Sequence, residues 1–487
     1  MKIKMSTLLL AISLVVATAA GSAWLAYNYL NQDLTGMTAE EITAFKEEHP
    51  RVNVTYTVNI EGGSEVLELA ENTTSVKLEN TAQAMDLVSK SAYFHMLSTI
   101  DLTDIALTAA EADAIKQAFP QAQDLIITHL SIANQSYPMT TTEVDLSALT
   151  PEVIEPVMAD LAYLPALSAI NLMDANGNTN FSVDDALKLK TAYPDVTVKY
   201  AFNLLGVPVS HETESLEYAR TYIGDPGVAT IRKVLPLLSN LTYLKLDDCG
   251  TTDETMAQLR ADFPNIEVHW RIFYSVFDCM TDNYKLWTIG GLMDKQIGPF
   301  EHLRGIKYLD LGHNYFTHLD FMKNLADVEV AILAIGQLED ISGIANCTKL
   351  EFLEIFSNRK LTNEDMQHLS GLTNLEYLNI SNLPLVTDLS FTDDMTKLKK
   401  LWCTLSSVPQ EEIDRVKALH PDCEFVFMTD GDPTDYGWRY HADGTETARY
   451  QLLRLQIGYA KDDVSQYPKG EVKEEITYES TGIIPEE

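Results

Sequence analysis

TAEEITAFKEEHPRVNVTY, residues 38–56, recurs in register as TAAEADAIKQAFPQAQDLI from Thr108, SVDDALKLKTAYPDVTVKY from Ser182, TDETMAQLRADFPNIEVHW from Thr252 and PQEEIDRVKALHPDCEFVF from Pro409. Nearly every column of the phrase has a physical reading. Thr38, Thr108, Ser182 and Thr252 are helix caps, and Glu41, Glu111 and Asp185 stand three residues on, where a capping box needs an acid. Apolar pairs such as Ile42 with Phe45, Ala112 with Ile115 and Met256 with Leu259 follow at helical spacing and predict one buried stripe. Lys46, Lys116, Lys190, Arg260 and Lys417 recur near the helix end, where a cation suits the negative end of the macrodipole. Prolines 50, 120, 194, 264 and 421 then stop the helix, and an alternating strand follows, as in Val196, Val198, Tyr200 and Phe202.

Repeated units that cannot bury their own apolar face have to stack on one another, so the phrase predicts a solenoid with a continuous core. That removes the inference of several domains that 487 residues would otherwise invite. The apolar share of 46% is ample for a long core, while 35 Lys and Arg against 71 Asp and Glu give a net charge of −36. Nucleic acid is excluded as a partner on this ground, because a phosphate backbone is drawn to clustered cations and the chain has no basic stripe. The acidity serves solubility, with a site steering cationic ligands as the narrower reading.

A second phrase precedes the first: Leu241-x-x-Leu244-x-Leu246-x-x-Cys249, Ile306-x-x-Leu309-x-Leu311-x-x-Asn314 and Leu350-x-x-Leu353-x-Ile355-x-x-Asn358. It resembles the leucine-rich repeat. Looser copies begin at Leu97, Leu167, Leu375 and Leu398, and the first apolar positions at 306, 328, 350, 375 and 398 step by 22, 22, 25 and 23, within the about 20–29 residues of this repeat. Leu303 to Leu325 is similar to the internalin-type unit of Gram-positive surface proteins. Upstream, the prolines at 50, 120, 194 and 264 step by 70, 74 and 70, about three such coils per step. Each step is expected to hold a post-proline strand, a short strand such as Ser75 to Leu78 or Glu143 to Leu146, and an LxxLxL strand. The resemblance implies an α/β leucine-rich-repeat horseshoe with a parallel sheet on the concave face and helices on the convex face. The divisions are 38–302 for the degenerate modules, 303–428 for the regular repeats, 429–460 for a cap over the open end and 461–487 for a disordered acidic tail.

At the N-terminus, Lys2 and Lys4 precede an uncharged run from Met5 to Tyr27, which at about 1.5 Å per residue matches a hydrocarbon core of about 30 Å. Residues 1–30 read as a membrane anchor with the body outside, or as a signal peptide cleaved after Ala19 or Ala23. Either reading exports the chain. Five cysteines, odd in number and without a CxxC pair, argue against a disulfide framework and for core packing, with Cys279 unassigned.

Within an LxxLxL strand the leucines pack between coils and the intervening side chains face the concave surface. That face would carry Tyr243, Lys245 and Asp247, then Tyr308 and Asp310, then Val330 and Ile332, then Phe352, Glu354 and Phe356, then Tyr377 and Asn379, and then Lys400 and Trp402. An aromatic and acidic stripe of this kind suits recognition, although aromatics also stack along parallel strands for stability alone. Asp430 to Asp435 offers oxygen ligands that lack the EF-hand order, and turn chemistry explains it. No HExxH, GxSxG, P-loop or GxGxxG before a helix is present. The sequence therefore predicts a non-enzymatic, exported protein, without cofactor, that binds a protein or a cell-surface glycan on its concave face. An envelope spacer and an unrecognised hydrolase are the alternatives.

Overall fold

The hydroxyls of Thr38, Thr108 and Ser182 accept the backbone N–H of residues 41, 111 and 185, whose carboxylates accept the N-cap N–H in return, closing all three capping boxes. They start the helices Ala39–Glu48, Ala109–Ala118 and Val183–Ala192; Thr252 and Pro409 precede the equivalent Asp253–Asp262 and Gln410–Leu419. A computed structural model describes residues 31–427 and 447–457. The run from Met5 to Tyr27, the Asp430 to Asp435 turn and the 461–487 tail lie outside these residues. Among the described residues no helix is long and apolar enough to cross a membrane.

The chain forms two compact units, one of the described residues up to Thr213 with Val234–Asn240, the other of Glu214–Lys233 with the residues from Leu241 on. In the first unit the 70-residue step holds three parallel strands in the expected order. Ser75–Lys77 pairs with Thr99–Leu107, which pairs with Asp124–Ile132; Glu143–Asp145, Ala169–Asn171 and Thr197–Lys199 repeat the arrangement. Asp160, buried, accepts the Ala109 N–H at 2.7 Å and so ties one coil's helix to the start of another's.

The ladder is not continuous, which corrects the expectation of a single parallel sheet. After the parallel segment the chain turns back as an antiparallel hairpin: Thr57–Ile60 with Leu67–Ala70, Asp124–Ile132 with Gln135–Pro138, Ala201–Leu204 with Val207–Ser210, and Glu267–Tyr274 with Phe277–Met280. Each module ends there and the next sheet begins anew. Two of the turns have two-residue loops with both residues left-handed, Ala133-Asn134 and Leu205-Gly206, the backbone that matches strand twist in a tight hairpin. Cys279 is buried in the last of these hairpins.

The second unit contains a four-stranded sheet, Ser215–Ala219, Tyr243–Asp247, Glu267–Tyr274 and Phe277–Met280 in order, and a seven-stranded, fully parallel ladder from Lys285–Trp287 to Glu424–Val426. In three of the regular coils the return segment is a 3-10 turn, Asp320–Asn324, Ser342–Asn346 or Ser390–Thr392, rather than the expected α-helix. Their apolar residues, Phe316, Leu319, Met322 and Leu325, then Leu338, Ile341, Ile344 and Cys347, recur every third position and are buried. Three residues per turn places such a series on one side of a 3-10 turn. The Asn column locks neighbouring coils: Asn358 donates to the carbonyls of Leu333 and Ile355 at 2.9 and 2.8 Å and accepts from Leu338 N–H at 3.1 Å. This coil, with its leucine columns, buried Asn and parallel strand, is that of a leucine-rich repeat.

Candidate binding face

In five of the seven three-residue strands of the ladder the middle side chain, Leu309, Ala331, Leu353, Leu378 or Leu401, points into the coil and is fully buried. The flanking residues point to the other side and, because the strands are parallel and in register, line up in two rows. Tyr308, Val330, Phe352, Tyr377 and Lys400 form one; Asp310, Ile332, Glu354, Asn379 and Trp402 form the other. The Phe352 and Tyr377 rings lie 6.1 Å apart, and Lys400 Nζ is 4.9 Å from the Trp402 ring centre.

These rows are not open to solvent. Tyr308, Asp310, Phe352, Glu354, Phe356, Asn379 and Trp402 are all buried, Phe352 to 0% and Glu354 to 1% exposure, while Tyr377 is half-buried. Over the first two strands the cover is the helix Ala448–Ile457, and its Leu453 and Ile457 belong to one apolar cluster with Tyr308, Val330, Ile332, Ala334, Phe352, Phe356, Trp402 and Val426. The helix packs against Lys285–Trp287 and Tyr308–Asp310, the first two strands. It thus lies on the face of the ladder that carries these two rows. The physical reason is the face itself. It displays aromatic and branched side chains beyond those the coil interior consumes, and such a surface gains more from being covered than a polar coil end does. Burial, aided by Glu329, raises the Tyr308 phenol above the ordinary range. Tyr450, Leu453 and Ile457, spaced i, i+3 and i+7, are the residues that sequence reasoning missed as part of the face. Their helical spacing was legible, but the surface they pack on was not.

The four-stranded sheet presents the equivalent rows differently. Tyr243, Lys245 and Asp247 alternate with buried Leu244 and Leu246 and are half-exposed. The Tyr243 hydroxyl donates to Asp282 at 2.9 Å, and burial together with that carboxylate pushes the phenol far above its usual range. Arg271 Nε donates to Asp247 at 2.5 Å, holding its carboxyl below the usual range, and the same guanidinium pairs with Asp278. His269 stands beside Lys245 in the register, with Nδ1 3.3 Å from Thr281 Oγ1, and burial lowers its imidazole. This face is polar, ion-paired and accessible, whereas the seven-stranded one is apolar and covered.

Among the described residues no group of three or more His, Cys, Asp or Glu could hold a metal ion. The thiols of Cys279, Cys347 and Cys423 are pushed up to about 12, and that of Cys403 to about 11, by burial, so at neutral pH these four are not thiolate nucleophiles. All five cysteines are unbridged.

No family model matches the chain, and no curated protein matches it. Among solved structures it is similar to an internalin of Listeria monocytogenes, at 15% identity and TM-score 0.26 over 69% of this chain and 96% of that one. It is similar to internalin C2 of the same organism, at 18% identity and TM-score 0.25 over 46% of this chain and 85% of that one. A leucine-rich-repeat protein of Leptospira interrogans gives 15% identity and TM-score 0.25 over 87% of this chain and 98% of that one. At such scores the repeat architecture rests on the strand register and motif columns themselves.

Proposed function

We propose that this chain is an exported, non-enzymatic binding protein that takes a polypeptide partner on the outer face of its parallel ladders. One observation supports this reading above the others: the face that carries Tyr308, Phe352 and Trp402 already holds a helix of polypeptide, Ala448–Ile457, in one apolar cluster. A face of this composition therefore suits protein better than glycan. The open, ion-paired face at Tyr243, Lys245 and Asp247 supplies the polar end of the same recognition surface on the four-stranded sheet. Export is supported by the uncharged run from Met5 to Tyr27, read as anchor or signal.

The test is to probe helical-peptide and glycan arrays with the full chain and with a variant carrying Tyr243→Ala, Lys245→Ala and Tyr377→Ala, chosen because these side chains are not fully buried. Peptide binding that weakens at least tenfold in a variant of unchanged melting temperature supports the reading. Equal binding by both forms moves recognition off these faces. The covered state of the apolar rows favours a second reading, an envelope spacer whose ladder is simply packed; absence of ligands on either array supports that one.

A further inference from the structure

Helix Ala448–Ile457 has ten residues, fewer than the roughly 12–15 at which an isolated helix becomes even marginally stable in water. Its order therefore comes from the surface beneath it. That surface does not need the helix in return to complete the repeats, because the coil interior is already filled by Leu309, Ala331, Leu353, Leu378 and Leu401. The chain leaves the ladder at its last strand, Glu424–Val426, yet the helix contacts the first two strands, six strand spacings of about 4.8 Å away. Residues 427–447 join the two points. The contact is also mixed in character. Arg454 and Gln456 on the helix and Asp310 and Glu354 on the ladder are buried along with the apolar side chains, and Glu354 and Arg454 both have partners. Burying charge costs stability unless it is paired, and the better attested gain from such groups is specificity of fit.

We propose that this helix is an exchangeable occupant of the ladder face. The face is a docking groove for an amphipathic helix with an aromatic residue, Leu and Ile at i, i+3 and i+7 and a cation at i+4, the pattern of Tyr450, Leu453, Arg454 and Ile457. The chain carries its own copy, which closes the groove until a partner helix of that chemistry displaces it. The inference rests on the reading of the ladder face as a binding surface and adds its regulation. With Asp310 and Glu354 buried on the groove side, a cation on the incoming helix is the charge that favours one partner helix over other apolar ones.

The experiment uses the full chain, with and without Leu453→Glu and Ile457→Glu, and a fluorescein-labelled synthetic peptide of residues 445–460 as the probe. Fluorescence anisotropy is expected to show saturable binding to the double variant at least tenfold tighter than to the unsubstituted chain. In the unsubstituted chain, amide hydrogens of 448–457 are expected to exchange at least tenfold faster than those of Leu353 and Leu378. A double variant that keeps its ladder amides protected but binds the peptide no better overturns the proposal. So does exchange of 448–457 in step with the ladder strands, which would make the helix part of the core, and that measurement stands even if the variant fails to fold. Peptide capture by the variant without any array ligand would keep the exchange and remove the external partner. Array ligands lost on Tyr243→Ala, with no peptide capture, would do the reverse.

Discussion

The Arg260 guanidinium carbon lies 4.2 Å from the centre of the Trp270 ring. The same side chain donates to the carbonyls of Val268, at 2.7 and 2.9 Å, and of His302, at 2.9 Å, while Trp270 Nε1 donates to Asp253 at 2.7 Å. Its column was read as a complement to the helix macrodipole, and each member does sit in the last helical turn. Each also reaches further: Lys46 lies over Tyr56, Lys116 over Tyr163 and Lys417 over Phe427, and Lys190 donates to the carbonyls of Pro194 and Val196. The cation thus clamps the helix to an aromatic ring or to the post-proline segment. Arg260→Ala, which removes the donors to two carbonyls and the ring contact, is expected to cost about 2–4 kcal/mol of unfolding free energy. Arg260→Lys should recover only part, since an ammonium cannot reproduce the planar fork. Urea denaturation followed by far-UV circular dichroism reads both.

Asn358 satisfies three backbone groups from adjacent coils through one carboxamide. Asn358→Leu keeps the branched shape, with somewhat larger methyl groups, and leaves all three unpaired, so a loss of about 2–4 kcal/mol is expected. Exposed Asn324, which makes a single bond to the Glu301 carbonyl, is the control; Asn324→Ala should stay within about 0.5 kcal/mol. Equal costs at the two sites would show that the buried Asn does not lock the coils.

Asp160 stands where a helix N-terminus needs an acceptor, yet burial raises its carboxyl above the usual range. The hydrogen bond, not the charge, is then what the site uses. Asp160→Ala is expected to cost about 1–3 kcal/mol through the unpaired Ala109 N–H, and Asp160→Asn, which retains an acceptor, less than half of that. A larger loss for Asn than for Ala, by the same urea titration, would assign the role to the charge.

How far the sequence could be read follows from which forces are local. The helices Ala39–Glu48 and Ala109–Ala118 begin at capping hydroxyls and end before Pro50 and Pro120, and these signals lie within a few residues of what they govern. The two outward rows were legible because strand alternation is local as well. The hairpins were not, since Ala133 and Leu205 adopt left-handed backbone without being glycine and so lack the usual compositional mark. The cover over Phe352 and Trp402 was out of reach for a different reason. Whether a face is solvent or core depends on Leu453 and Ile457, far along the chain, and no periodicity within the ladder records what lies on top of it.

Burial lowers the imidazoles of both His269 and His302, against the opposing pull of Asp282 on the first and of Asp253 and Glu301 on the second. Arg260 faces both, and Lys245 and Arg304 add to it on His269 and His302 respectively. Since the unfolded chain keeps the ordinary value of 6.5, it takes up protons before the folded state does. Stability is therefore full above that pH and is lost progressively as pH falls from it toward the lowered folded values. Carboxylates held below their ordinary range, such as Asp247 beside Arg271 and Glu412 beside Arg415, act later, in the acid range near and below about pH 4. Two descents are expected in a plot of urea midpoint against pH. His269→Gln with His302→Gln should shrink the first and leave the second, because glutamine stays neutral throughout; what remains of the first belongs to His211, whose imidazole burial also lowers. A single descent confined to the carboxylate range in the unsubstituted chain would mean that these two imidazoles titrate alike folded and unfolded.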